Sequence, residues 1–429
     1  MILKNTTILS EDLTVIKDVD LLIKDKKIAK IGKNIKTEDK ETIDGKDLFI
    51  MSGLYNTHTH LPMTLMRGIG EDLPLQRWLE EKIFPFEAHL DDETVFAGTM
   101  LGIAEMIKFG IVSVSDMYFN CEAIAKACAE SGINANLSRA ITAFDDNTVY
   151  ENERFLESQK LIQQFDGYDE GRIKIELAIH AEYTCAKRTM TELAEYAKQA
   201  GKGIHIHVSE TAKEHAECIG RHGVTPTELL ENCGILDTKA TLAHCVHITD
   251  NDIKLIADTK ASIAHCPVSN LKLGSGIAPL DKMLDSGILV GLGTDGVAAN
   301  NNANFLEEIK FSALLQKGVS QNPELVPVPE VIKMATANGA KIQDRANSGV
   351  IKEGNYADLI AIDLTAPNMQ PKGDIINNIV YSLSPSDIYM TMVRGKILYK
   401  NGEYTTLDIE KVCYEANKAK EQILSKTNN

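Results

Sequence analysis

The order of elements in this 429-residue chain predicts an α/β fold: a (β/α)8 barrel of the TIM type, with a small β-sandwich domain built from both chain ends. Three observations favour this fold. Short apolar strands alternate with amphipathic helical stretches through the middle of the chain. Both ends are rich in strands, and polar side chains follow the central strands where a barrel carries its chemistry.

The alternating region contains enough strands to close a barrel. Eight candidate strands begin near Ile50, Ile111, Asn134, Ile173, Gly203, Thr241, Ala261 and Ile288. Helical periodicity covers residues 95–109, 122–131, 154–165, 189–200, 226–232, 250–259 and 305–317. A doubly wound sheet would carry a glycine-rich dinucleotide turn after its first strand, and the sequence has none there. We therefore expect the barrel to occupy residues 53–350.

The two chain ends share a different pattern. Residues 1–52 and 351–405 contain short strand-like runs joined by charged turns, and neither segment could bury an adequate core alone. We expect the two segments to combine into the β-sandwich. Residues 406–429 should form a C-terminal helix and polar tail.

Composition and charge disfavour several classes of function. A net charge of −16 without a run of lysines and arginines argues against a nucleic-acid partner. No apolar run approaches the roughly 18 residues of a membrane span. The eight cysteines include no Cys-x-x-Cys pair, which is typical of reduced thiols. We expect a cytoplasmic protein that does not interact with membranes or nucleic acids.

The histidines are concentrated at the ends of the predicted strands. Seven of the eleven lie there, namely His58, His60, His180, His205, His207, His244 and His265. Asp295 follows the last predicted strand. Because the carboxyl ends of barrel strands meet at one face of the barrel, we expect these side chains to converge on one site.

Four of these residues form a candidate metal site. His58 and His60 point to one face of a strand, although such a pair alone could equally be two polar residues at a loop entrance. Together with His207 and Asp295 they form a set of three imidazoles and one carboxylate. This set suits one divalent ion per subunit, with Zn²⁺ favoured and Fe²⁺ as the alternative. Such an ion lowers the pKa of a bound water toward about 7.

Three residues are candidates for moving protons. Glu210, three residues beyond His207, could protonate a ring nitrogen, or it could be an ordinary glutamate at a helix N-terminus. His244 could polarise or deprotonate the attacking water. Asp295 could shuttle a proton as well as bind the metal, and its alternative is a turn aspartate before Gly296.

Several sequence strings resemble the amidohydrolase superfamily, and within it the group of S-adenosylhomocysteine, 5'-methylthioadenosine and 5'-deoxyadenosine deaminases. The strings are Asn56-Thr57-His58-Thr59-His60 with Met66-Arg67-Gly68, Trp78-Leu79 with Phe84-Pro85-Phe86-Glu87, His207-Val208-Ser209-Glu210-Thr211, Ala243-His244-Cys245-Val246-His247, His265-Cys266-Pro267-Val268-Ser269-Asn270 and Gly293-Thr294-Asp295-Gly296. The resemblance implies a single metal ion at the four ligands named above, with Glu210 and His244 as proton-transfer partners.

The same resemblance implies a nucleoside pocket. Glu87 would accept hydrogen bonds from both ribose hydroxyls, Glu210 would contact the purine, and His180, Arg139 and Arg154 would meet the 5' substituent. From the residues alone, Glu87 could instead be a surface carboxylate and Arg154 a solvated helical charge. In related enzymes one such arginine comes from a neighbouring subunit, which implies a homo-oligomer, either a dimer or a tetramer.

We therefore expect a metal-dependent hydrolase that converts a 5'-modified adenosine into its inosine analogue and ammonia. The candidate substrates are S-adenosylhomocysteine, 5'-methylthioadenosine, 5'-deoxyadenosine and adenosine. The alternatives are a guanine deaminase or a triazine amino- or chlorohydrolase on the same scaffold and, more remotely, a non-catalytic binding scaffold. The zinc deaminase design with Cys-x-x-Cys and His-x-Glu ligands is excluded, because the chain has no Cys-x-x-Cys pair.

Overall fold

The computed structural model describes residues 1–38 and 41–427, and a closed barrel of eight parallel strands lies at its centre. In chain order, barrel strands 1 to 8 are Leu54–Thr59, Ile111–Tyr118, Asn134–Ile141, Ile173–Ala181, Gly203–Val208, Lys239–His244, Ser262–His265 and Leu289–Leu292. Barrel strand 8 pairs with barrel strand 1 to close the barrel. The predicted (β/α)8 barrel is confirmed.

Helices connect the strands and cover the outside of the barrel. The α-helices are Leu75–Trp78, Phe84–Glu87, Asp92–Lys108, Cys121–Ser131, Glu153–Phe165, Tyr168–Gly171, Lys187–Ala200, Ala212–His222, Pro226–Asn232, Asp250–Ala257, Pro267–Lys272, Leu280–Asp285, Val297–Asn300, Phe305–Ser320, Val328–Lys333, Gly339–Ile342, Ile375–Tyr381 and Ile409–Thr427. Short segments of 3-10 or π-helix occupy Leu61–Met66, Leu79–Ile83, Val149–Glu151, Glu182–Thr184, Met334–Asn338, Pro367–Met369 and Pro385–Asp387. No helix among the described residues has both the length and the apolar character needed to cross a membrane.

Both chain ends contribute to one mixed sheet of nine strands. Its strands are Ile2–Leu9, Val15–Lys24, Lys27–Gly32, Thr42–Asp44, Leu48–Ser52, Leu359–Asp363, Ile388–Val393, Lys396–Lys400 and Glu403–Tyr404. Leu48–Ser52 pairs antiparallel with Leu359–Asp363 and so joins the two ends of the chain. The sheet encloses its own apolar cluster, which includes Leu21, Ile50 and Met390.

The prediction that the first barrel strand begins near Ile50 is wrong. The apolar run from Leu48 divides at Gly53 into an end-sheet strand and barrel strand 1. A Cβ on Gly53 would lie 2.2 Å from Val112 Cγ1, so only glycine lets the chain pass this close to barrel strand 2. The division of the chain at residues 52, 350 and 405 stays a prediction.

Candidate active site

Five side chains from four barrel strands converge at the carboxyl end of the barrel. The ring centroids of His58 and His207 lie 5.0 Å apart, and those of His207 and His244 lie 5.4 Å apart. Asp295 Oδ1 lies 3.2 Å from His60 Nε2 and 3.6 Å from His58 Nε2. The structure therefore brings together all four predicted metal ligands and His244.

Hydrogen bonds on the outer nitrogens orient these rings. His60 Nδ1 donates to the Met117 carbonyl at 2.5 Å, and His207 Nδ1 donates to the His180 carbonyl at 2.7 Å. Because a carbonyl oxygen can only accept, the proton must sit on Nδ1, and Nε2 then presents a lone pair to the centre. His58 Nδ1 lies 2.9 Å from His205 Nε2, and His58 Nε2 has no hydrogen-bond partner among the described residues.

The cluster has the charge and ligand chemistry of a cation site. Burial lowers the pKa of His58 to about 3, although the negative charge of Asp295 opposes the shift. Burial also lowers the pKa of His207 far below its usual range, so both rings are neutral. At His60 burial again disfavours the charged ring, but hydrogen bonding to Asp295 raises the pKa to about 8. Three imidazoles around a carboxylate fit a divalent ion such as Zn²⁺, whose binding would release the extra proton from His60.

Unusual backbone conformations direct the strand ends into the site. Ser209, His244, Cys245 and Asp295 have φ angles of +47°, +72°, +50° and +60°, a left-handed region that costs energy for residues with side chains. Hydrogen bonds across the strands hold these positions: Cys245 N donates to Val208 O, and Asp295 N donates to His58 O, both at 3.0 Å. Strain of this kind is typical of functional sites.

Glu210 lies between barrel strand 5 and the following helix, which begins at Ala212. It is 8% exposed, and burial raises its pKa. The Glu214 carboxylate accepts hydrogen bonds from the backbone N–H groups of Ser209 and Glu210 at 3.0 and 2.7 Å. Glu210 is therefore a buried carboxyl before the helix, not an exposed glutamate in its first turn.

Asp295 shows both geometries that the sequence allowed, that of a turn aspartate and that of a metal ligand. Its Oδ1 accepts a hydrogen bond from Gly296 N at 2.7 Å, as in a turn aspartate, and the same atom faces His60. Its Oδ2 accepts a hydrogen bond from the Ser269 hydroxyl at 2.5 Å. With Oδ2 bonded in this way, Oδ1 is the oxygen directed at the imidazoles.

A cavity of about 720 Å³ opens onto the cluster and contains every predicted substrate-binding residue in its wall. Glu87 lies in this wall, half-buried, and accepts a hydrogen bond from the Tyr118 hydroxyl at 2.5 Å. Burial raises the pKa of Glu87 to about 7, although the Tyr118 hydrogen bond opposes the shift. Glu87 is therefore a cavity residue and not a solvated helical carboxylate.

The residues assigned to the 5' substituent lie further along the same wall. Arg139 Nε donates to Glu157 at 2.5 Å, and Arg154 Nη1 donates to the Thr142 carbonyl at 3.0 Å from an exposed position. Burial lowers the pKa of His180 to about 4, so its ring is neutral. Both arginines contribute to the cavity from the same chain as the cluster.

Sequence reasoning missed several polar residues around the site. Asp116 and Tyr118 belong to barrel strand 2, and Asp116 Oδ1 accepts a hydrogen bond from Leu61 N at 2.6 Å. Burial raises the pKa of Asp116 to about 7. On the other strands, polar residues near the carboxyl end were assigned to the site. The same rule would have found both Asp116 and Tyr118. Ser269 and Asn270 lie beyond barrel strand 7 and carried no such signal.

A glycine-to-alanine change at residue 293 tests how closely the strands must approach beneath the cluster. A Cβ there would lie 2.8 Å from His58 Cβ and 2.9 Å from Cys266 Sγ. We expect Gly293→Ala to destabilise the fold by about 1–3 kcal/mol and to weaken metal binding, because the added methyl must displace His58. Calorimetric unfolding and metal titration check this, with Gly318→Ala as control, since no atom lies within 4 Å of a Cβ there. Equal stability and equal metal affinity in the two variants would contradict the close packing of Gly293 against His58.

Known proteins resemble this chain over most of its length. Residues 49–398 match the amidohydrolase family. A Dictyoglomus thermophilum protein named 5-methylthioadenosine/S-adenosylhomocysteine deaminase is 43% identical over 385 residues, 90% of each chain. A Methanosarcina acetivorans protein named 5'-deoxyadenosine deaminase is 40% identical over 430 residues, covering 100% of this chain and 99% of its own.

Solved structures share the whole architecture. A Xanthomonas campestris adenosine deaminase with bound zinc superposes with a TM-score of 0.93 at 28% identity, covering 99% of this chain and 98% of its own. The atrazine chlorohydrolase TrzN from Arthrobacter aurescens, complexed with zinc, has a TM-score of 0.91 at 24% identity, covers 98% of this chain and 99% of its own, and shows the fold alone. The extent of the family match and the identity to full-length relatives lead to one conclusion: the chain belongs to the amidohydrolase family.

Proposed function

We propose that this protein hydrolytically deaminates 5'-modified adenosines, giving the inosine analogue and ammonia. One observation carries the proposal: Glu87 and Glu210 lie in the wall of one cavity that His60, His207 and His244 also line. A substrate reaching both would offer a ring to Glu210 and a vicinal diol to Glu87. The relatives named 5-methylthioadenosine/S-adenosylhomocysteine deaminase and 5'-deoxyadenosine deaminase support this proposal.

The chain's own side chains can perform the proton transfers. When bound at His58, His60, His207 and Asp295, the divalent ion would acidify a water molecule. His244 Nε2 accepts a proton from the attacking water, and Glu210 donates one to the ring nitrogen beside the amine-bearing carbon. Asp295 then takes the proton of the hydroxyl newly formed on that carbon and passes it to the departing ammonia, and the proton held by His244 returns to Glu210 through solvent.

The identity of the ion and the assembly are parts of this proposal. Three imidazoles and a carboxylate suit Zn²⁺, with Fe²⁺ as the alternative, and one ion per subunit is expected. The resemblance to deaminases that share an arginine between subunits favours a homo-oligomer, and Phe144, 81% exposed at the cavity wall, is a residue that a second subunit could cover. We further propose a cytoplasmic location, which the eight free cysteines support.

A substrate panel tests the proposal. Metal-loaded protein should release ammonia from S-adenosylhomocysteine, 5'-methylthioadenosine, 5'-deoxyadenosine and adenosine, and far more slowly from adenine and guanine, which have no ribose diol for Glu87. Equal rates with nucleosides and free bases would refute the nucleoside assignment. Turnover of guanine or a chlorotriazine alone would favour the alternative reactions on this scaffold, and no turnover with any compound would favour a binding scaffold.

The Glu87→Gln variant tests the diol contact. We expect kcat/KM for adenosine to fall about 10- to 100-fold, because one carboxylate acceptor becomes an N–H donor that faces a hydroxyl. With 2',3'-dideoxyadenosine the native protein should already be slow, so the variant should lose little more. Steady-state kinetics measure both ratios, with exposed Glu80→Gln as control. An equal fall in kcat/KM with adenosine and with 2',3'-dideoxyadenosine would contradict the contact between Glu87 and the ribose diol.

A further inference from the structure

The turn after barrel strand 7 lies directly behind two residues of the candidate active site. This turn comprises Cys266 and the short helix Pro267–Lys272. Ser269 bonds Asp295 Oδ2, and Asn270 Oδ1 lies 2.9 Å from His244 Nδ1. The contact between Asn270 and His244 plays no part in the proton transfers described above, although Asn270 belongs to one of the strings that carry the family resemblance.

We propose that Asn270 is a positioning residue that fixes the tautomer of His244, an inference that rests on the proposed deamination. If the amide oxygen accepts a hydrogen bond from His244 Nδ1–H, the proton is held on that nitrogen and the lone pair is left on Nε2. That lone pair is what His244 needs in order to accept a proton from water.

The surroundings of His244 favour this orientation over its reverse. One ring nitrogen of His244 lies within 4.8 Å of ligand atoms of His58 and His207, on the face where the cation would sit. A proton on Nε2 would direct positive charge at that cation. His244 and Asn270 are each 1% exposed, so water cannot substitute for the amide. The Asn270 amide nitrogen, Nδ2, has no hydrogen-bond partner among the described residues, so it does not bond to the His244 ring.

The turn itself is built to hold the amide in place. Asn270 N donates to Cys266 O at 3.0 Å, and Asn270 O accepts hydrogen bonds from Ser275 N and Gly276 N at 2.8 and 3.3 Å. The start of the turn is also anchored, because the buried Glu308 carboxylate accepts a hydrogen bond from Val268 N at 3.2 Å. A side chain on such a fixed backbone can orient a neighbouring ring with little entropic cost.

Substitutions that separate shape from hydrogen bonding test the proposal. Asn270→Leu keeps the approximate volume and removes the acceptor, so kcat should fall roughly 100-fold while KM stays within about 3-fold. Asn270→Asp keeps an acceptor facing Nδ1 and should retain kcat within about 10-fold of the native value at its own optimal pH. Metal content and inosine-analogue affinity should be unchanged in both, because neither the ligands nor the pocket wall is altered.

Two further variants complete the experiment. Asn270→Ala removes the same acceptor without added bulk and replaces the leucine variant if that protein does not fold. Asn338→Leu is the matched control, because its amide bonds the Val290 carbonyl and does not touch His244. Its kcat should equal the native value.

Native-like kcat in Asn270→Leu or Asn270→Ala would overturn the proposal. An Asn270→Asp variant as slow as Asn270→Leu would also overturn it, because the amide must then act as a donor or as packing alone. A native protein that deaminates no adenosine would refute the proposed function instead, before any Asn270 variant is compared.

Discussion

Glu210→Gln is expected to lower kcat for adenosine deamination by roughly 10²–10⁴-fold, the contribution typical of a general acid. Glutamine fills the same space but carries no transferable proton. Burial raises the pKa of the native carboxyl, so the protonated form persists closer to neutral pH than for an exposed glutamate. The measurement is kcat at saturating substrate together with metal content, which should remain that of the native protein.

The control for this variant lies on the next helix. Glu217 is 49% exposed at its side chain and pairs with Lys213 and Arg221, so Glu217→Gln removes a carboxylate near Glu210 without entering the cavity. It should leave kcat unchanged. Full activity of Glu210→Gln would contradict the assignment of Glu210 as proton donor. Loss of metal in that variant would instead show that Glu210 is a metal ligand.

Asp295→Asn should abolish both metal binding and turnover. The asparagine oxygen carries no charge to balance a divalent ion held by imidazoles, so metal affinity should fall by about 100-fold. The same change removes the group proposed to pass a proton to ammonia, so excess metal should restore little activity. Equilibrium titration with Zn²⁺ gives the affinity, and ammonia release gives the rate.

Asp237→Asn is a suitable control, because Asp237 is an exposed partner of Lys198. It should bind metal as tightly as the native protein. If Asp295→Asn retained native metal affinity, the ligand set would have to be drawn from His58, His207 and His244, the other cluster with suitable spacing.

Much of this site was predictable because it depends on strand periodicity. Two-residue spacing in barrel strand 1 places His58 and His60 on the same face, and the carboxyl ends of parallel strands must meet. The join between the chain ends was also predictable, because neither end could form a core alone. The start of barrel strand 1 was not, because the interruption at Gly53 depends on contact with Val112, which is distant in sequence.

The supporting residues were beyond sequence reasoning for a similar reason. Asn270 meets His244 across 26 residues, and no local pattern predicts which amide contacts which ring. Asp116, by contrast, was predictable, because it lies near the carboxyl end of barrel strand 2, where a barrel carries its site residues. The positive φ angles at His244 and Asp295 are likewise set by hydrogen bonds from neighbouring strands.

The most direct test of the central claim is the product of 5'-methylthioadenosine turnover in ¹⁸O-labelled water, with metal-loaded protein. We predict one ammonia per turnover and one labelled oxygen on the purine ring of the nucleoside product, because water replaces the ring amine. Release of adenine, with the label on the sugar, would contradict deamination and indicate cleavage of the glycosidic bond.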